Sequence, residues 1–199
     1  MRKTAAAVTA LGATAVLSLG LAAPASAGGG VTTPVSIASA DFGWDTARHT
    51  SYTRIEVATS ADGDGLSVSQ IATDLDRLGN PTRMVITTGF VTSGFRARID
   101  TRRFRGAWVV DVSVPVQRCV YLSDYDPGTC TDGRPVVVHL RWTGTGPITT
   151  DVSGPLDDPY TIVTTSRDAR ACGRVTGLPD RLGAPATASI LLESPPTAA

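Results

Sequence analysis

The chain has 199 residues, 18 basic and 18 acidic side chains, a formal net charge of zero and a mean hydropathy of +0.06. That length admits one ordinary domain, and the balanced charge excludes a dedicated nucleic-acid binder, which needs surplus cations to displace counterions from phosphates. Within each charge class usage is skewed, with one Lys against 17 Arg, two Glu against 16 Asp, and 27 Thr and 20 Val besides, so strong helix formers are scarce and an all-β protein is predicted.

In chain order, Arg2 and Lys3 precede an apolar run from Ala5 to Ala23, and Ala25-Ser26-Ala27 forms a small-residue cleavage site. Residues 1–27 therefore read as a secretory signal peptide. No later segment approaches the roughly 18 apolar residues that a helical span needs. Short runs punctuated by Gly, Pro, Asn and Asp then predict strands at Thr50 to Thr59, Gly65 to Ile71, Thr82 to Val91, Phe95 to Thr101, Ala107 to Gln117, Arg134 to Thr143, Thr161 to Thr165, Ala169 to Thr176 and Thr187 to Leu192. One helical turn is expected over Thr73 to Gly79, where Leu75 and Leu78 lie three apart before Gly79-Asn80-Pro81. Together these predict a single antiparallel β-sandwich, immunoglobulin-like or jelly-roll-like, over residues 28–193, with 194–199 as a flexible tail.

Alternation within strands assigns the aromatic residues. Trp108 shares a parity with Val110, Val112, Val114 and Val116, and Trp142 with Val136, Val138 and Leu140, so both are expected in the core, with His139 on the outer face. Only Trp44, in Asp41-Phe42-Gly43-Trp44-Asp45, is left as a candidate for sugar stacking, and plugging one end of the sandwich is the reading preferred for it. Pro115 lacks a ladder donor and should mark an edge or a bulge.

Catalytic chemistry finds little foothold. A Ser-His-Asp triad would need His49 or His139, and no Gly-x-Ser-x-Gly elbow occurs. Asp157-Asp158, in a Pro-flanked loop, is the most conspicuous carboxylate pair, and turn chemistry accounts for it. Asp62-Gly63-Asp64-Gly65 and Asp124-Tyr125-Asp126-Pro127-Gly128 resemble acidic Ca²⁺ loops but lack the closing Glu, having Thr73 and Pro135 in its place. No cofactor, metal or catalytic residue is assigned.

The densest charge cluster is Arg96, Arg98, Arg102, Arg103 and Arg105. Arg96 and Arg98 alternate with Ala97 and Ile99, and Thr101 to Gly106 reads as a hairpin connection exposing Phe104 among cations. These five arginines are the candidate anion-binding patch. Cys119 and Cys130 flank a turn at Asp126-Pro127-Gly128 and should form a disulfide worth about 3 kcal/mol, leaving Cys172, which shares a parity with Arg170 and Arg174, as an exposed free thiol.

The segments Leu140-Arg141-Trp142-Thr143-Gly144-Thr145-Gly146-Pro147 and Arg170-Ala171-Cys172-Gly173-Arg174-Val175-Thr176-Gly177 resemble a group of small exported β-rich proteins of actinobacteria, over about the last third of the chain. That group has no assigned activity, so the resemblance implies export and β architecture only. The expected function is that of a secreted, non-catalytic binding module whose partner is an anionic cell-wall polymer or another surface protein, with no nucleic acid, and no membrane once the signal is cleaved. The alternative is an extracellular hydrolase of polysaccharide or wall polymer with an Asp-based site.

Overall fold

The computed structural model describes residues 33–122, 127–154 and 161–195, and among them there are eleven strands and no helix. The first four strands, β1 (Val35–Thr46), β2 (His49–Ser60), β3 (Gly63–Leu75) and β4 (Pro81–Val91), form a meander. Four shorter ones follow: β5 (Ala97–Ile99), β6 (Gly106–Val114), β7 (Val116–Tyr121) and β8 (Thr129–Asp132). The long hairpin of β9 (Val136–Ser153) and β10 (Ile162–Thr176) precedes β11 (Ala184–Ser194). All belong to one antiparallel sheet in the order β5-β6-β9-β10-β11-β1-β2-β3-β4-β7-β8.

Only Pro115 separates β6 from β7 in sequence, yet the two sit near opposite ends of that order, β6 paired with β9 and β7 with β4. One stretch of chain can do this only if the sheet curls over to enclose a shared interior, the corner geometry of a strand that changes layers. Pro115 permits the change because it offers no N–H to either ladder. Gly89 on β4 lets the crossing chain pass close by: a Cβ there would stand 2.4 Å from the Pro115 carbonyl oxygen and 2.5 Å from a Val116 methyl carbon.

Alternation fills the interior. Ile55 and Val57 on β2 and Leu66 and Val68 on β3 are buried on one side, and Val136, Val138, Leu140 and Trp142 on β9 on the other. Trp142 is fully buried, and its indole N–H donates to the Ser39 carbonyl of β1 at 2.8 Å. Since β9 and β1 are not neighbours in the sheet, that bond crosses the core.

Several expectations are corrected. Trp108 is not in the core: it is 39% exposed, whereas Ala107 and Val109 are buried. A bulge shifts the β6–β9 register between Val109 and Val112, with Asp111 at φ 47°, so two residues of β6 oppose one of β9 and every side chain before the bulge is turned to the other face. Val112, Val114 and Val116 do point inward. Phe104 is not exposed among the cations but buried, at φ 47°, and Arg167 clamps its turn by donating to the Phe104, Thr145 and Gly146 carbonyls. The helical turn over Thr73 to Gly79 is absent: β3 continues to Leu75, and the Asp76 carboxylate accepts the amides of Leu78 and Asn80. Such an Asx-type turn competes with a helix for the same backbone donors, and it leaves Leu78 86% exposed. The two strands expected within residues 161–176 are one, β10, which runs straight through while β9 bulges against it, three residues (Thr145, Gly146 and Pro147) standing opposite Asp168.

Candidate functional site

On the water-facing side of β5, β6, β9 and β10, the register places Arg98 opposite Trp108, Trp108 opposite Arg141, and Arg141 opposite Cys172. All four are exposed. Adjacent strands lie about 4.8 Å apart, so the row sets an indole between two guanidinium side chains on an open surface. Arg170 and Arg174 lie two residues either side of Cys172 and are also exposed. Arg98, Arg141 and Arg170 make no ion pair among the described residues, whereas Arg174 bonds Asp111 at 2.9 Å and His139 reaches the same carboxylate oxygen at 3.3 Å. The Arg174 hydrogen bond, with His139 adding to it, holds the Asp111 carboxyl below its ordinary pKa. The bulge that turns Trp108 outward thus also aims an acid at one side of this face.

Of the five arginines expected to form the patch, Arg98 sits on β5 within this row. Arg96 precedes β5, and Arg102, Arg103 and Arg105 lie in the β5–β6 connection, all exposed. Sequence reasoning missed Trp108 and Arg141. The signal for Arg141 was its alternation with buried Leu140 and Trp142, but nothing local marks the bulge that frees Trp108.

The structure also assembles a polar cluster where the chain between β10 and β11 returns to the sheet. His49 Nδ1 lies 2.7 Å from Asp74 and Nε2 lies 3.2 Å from Asp180, and Arg83 reaches the other Asp74 oxygen at 3.4 Å. The Asp74 hydrogen bond raises the His49 pKa from 6.5, against the opposing effect of burial and with help from Asp180. The same bond, with Arg83, lowers that of Asp74. An imidazole with both nitrogens against carboxylates has its cationic form favoured and has no free nitrogen to take a proton from a serine. Nearby, buried Gln70 donates to Thr53 at 2.9 Å and accepts the Asp180 amide at 3.2 Å. Trp44 is half-buried, its ring centroid 5.2 Å from that of His49. Together these contacts form a clasp holding the 177–183 connection to β2 and β3.

Cys119 and Cys130 face each other across β7 and β8 and are joined by a disulfide. Cys172 is unpaired and exposed. Disulfides persist in oxidising compartments, and among the described residues no helix is long and apolar enough to cross a membrane. Asp64, from the first acidic loop, accepts the Ala97 amide at 3.3 Å, and no group of three or more His, Cys, Asp or Glu suited to a metal occurs among the described residues. Residues 1–27, Asp124 to Asp126 of the second acidic loop, Asp157-Asp158 and 196–199 lie outside the described residues. Comparison with known protein families, characterised sequences and solved structures returns no match.

Proposed function

We propose that the protein is an exported, non-catalytic binding module that uses the β5–β6–β9–β10 face to hold an anionic cell-surface polymer. Residues 1–27 would direct export and residues 28–193 would form the binding domain. The observation that carries this reading is the in-register row of Arg98, Trp108 and Arg141, with the guanidinium groups free of ion pairs among the described residues and the indole open to solvent. Arginine supplies forked donors for carboxylate or phosphate groups, and an exposed indole offers a flat apolar surface on which a sugar ring or an aglycone can rest. Arg96, Arg102, Arg103 and Arg105 extend the positive surface beyond the β5 end of the row.

The test is retention of the secreted protein on isolated wall polymer. Replacing Arg98 and Arg141 by Ser, or Trp108 by Ala, should weaken retention about tenfold, the equivalent of roughly 1.4 kcal/mol. Replacing the remote exposed residues Arg48 and Arg77 by Ser should change it much less. Equal losses from both double variants would show that net charge alone is sensed and would end this reading.

A further inference from the structure

The change of layers at Pro115 leaves an opening. β7 departs toward β4 while β9 continues beside β10, and a cleft of about 400 Å³ lies where they part. Its floor is a cross-strand row on β4, β7 and β8: Arg118 stands opposite Thr87 on one side and Thr131 on the other. Thr87 is only 2% exposed and its hydroxyl has no hydrogen-bond partner, and the Arg118 Nε is likewise buried and unpartnered among the described residues. Leu178 and Pro179 contribute an apolar wall, and Asp132 and Arg134 an acid and a second cation, at the lining.

Behind Arg118 is a second cavity of about 220 Å³, which it shares with Asp74 and Asp180. Those two acids are engaged by His49, and Asp74 by Arg83 as well. Neither forms an ion pair with Arg118. A buried guanidinium Nε–H and a buried hydroxyl, both without partners among the described residues, normally destabilise a fold by more than a satisfied pair contributes, and they are the features that a bound ligand relieves.

From this row we infer that the cleft is a binding site for one carboxylate group carried on a ligand about the size of a sugar residue. A planar carboxylate matches the two parallel donors on the Nε edge of a guanidinium, and the Thr87 and Thr131 hydroxyls can donate to its oxygens from either side. This site is separate from the outer face and stands or falls independently of the polymer-binding reading.

The experiment is NMR titration of the intact protein, following the Arg118 Nε–H resonance, with glucuronate as probe and with glucose and inorganic phosphate as comparisons at matched ionic strength. Saturable displacement of that resonance by glucuronate is expected, with glucose, which carries no carboxylate, at least about tenfold weaker; phosphate binding as strongly as glucuronate would show a general anion site and overturn the carboxylate assignment. Thr87→Val removes the hydroxyl at nearly constant volume, and should weaken glucuronate about tenfold while leaving the melting temperature unchanged or higher, because an unsatisfied buried group is lost. Arg118→Gln, followed through the backbone amide resonances of the facing Thr87 and Thr131, should abolish the response to glucuronate that these amides show in the wild type. If Arg118→Gln does not fold, the wild-type titration and Thr87→Val still decide the matter. No displacement by glucuronate, an equal response to glucose, or unchanged affinity in Thr87→Val would overturn the assignment.

Discussion

Arg98 and Arg141 flank Trp108 on an open sheet surface, whereas Arg118 lies in a cleft with its Nε out of water and without a partner. The residue type is the same, and the solvent around it differs. Cations on the open face are screened within about 10 Å at 0.1 M salt, so the proposed hold on a polymer would draw its strength from repetition and should fall steeply as salt rises. Arg118 has already given up part of its hydration in the folded state, so one ligand group meets it at short range with less screening. On the two proposals, unpaired arginine would serve two kinds of recognition, separable by salt.

The largest expected effect separates the two regions. Replacing Cys119 and Cys130 together by Ser should cost about 3 kcal/mol of stability on the chain-entropy model, read as a fall in melting temperature. It should also release β8, and with it Thr131, from Arg118. Glucuronate binding should fall while polymer retention by the folded fraction persists; loss of both in parallel would mean that the two regions are not independent.

A smaller effect links them. Gly89→Ala places a methyl group against the Pro115 carbonyl and Val116, and overpacking of this kind costs about 1–3 kcal/mol. Since the crossing chain carries Trp108 on one side of Pro115 and Arg118 on the other, denaturant unfolding should show the loss and amide spectra should show shifts on both β6 and β7. A perturbation confined to β4 would show that the crossing does not couple them.

The smallest concerns the clasp beside the cleft. The folded-state pKa of His49 is raised above 6.5, so its stabilisation is complete below that value and is lost as pH rises through the folded pKa. Asp74 is lowered from 3.8, so its contribution is present above that value and is lost as pH falls through the folded pKa. The clasp is therefore strongest in mildly acidic solution. The stability advantage of the wild type over His49→Gln should be largest at about pH 5 and shrink by about pH 9, as measured by denaturant midpoints. An advantage independent of pH would remove the ionic account of the clasp.

Most long strands were legible because their alternation is unbroken: β2, β4 and the first half of β9 lie close to where the apolar period puts them. The hairpin disulfide was legible for a related reason, since its two cysteines bracket a turn. What failed did so at interruptions of the period. A single bulge at Asp111 reversed the parity of Trp108 and concealed the exposed row. The pairing of Arg118 with Thr87 joins strands distant in sequence, and alternation within one strand carries no information about which strand lies beside it. β1 escaped because Ala38, Ala40 and Gly43 lack the β-branched signature, and β8 because four exposed residues held by a disulfide show no pattern at all.

The position of β11 has a consequence for how the molecule comes together. It lies between β10 and β1, pairing with both, and so brings Glu193 opposite Val35. During synthesis from the N-terminus the β1–β4 meander can zip up locally, each hairpin closing a short loop. One flank of β1 must nevertheless wait until nearly the whole chain has been made. Closing contacts of such long sequence separation are slow to form, which keeps the polypeptide open until its final strand arrives.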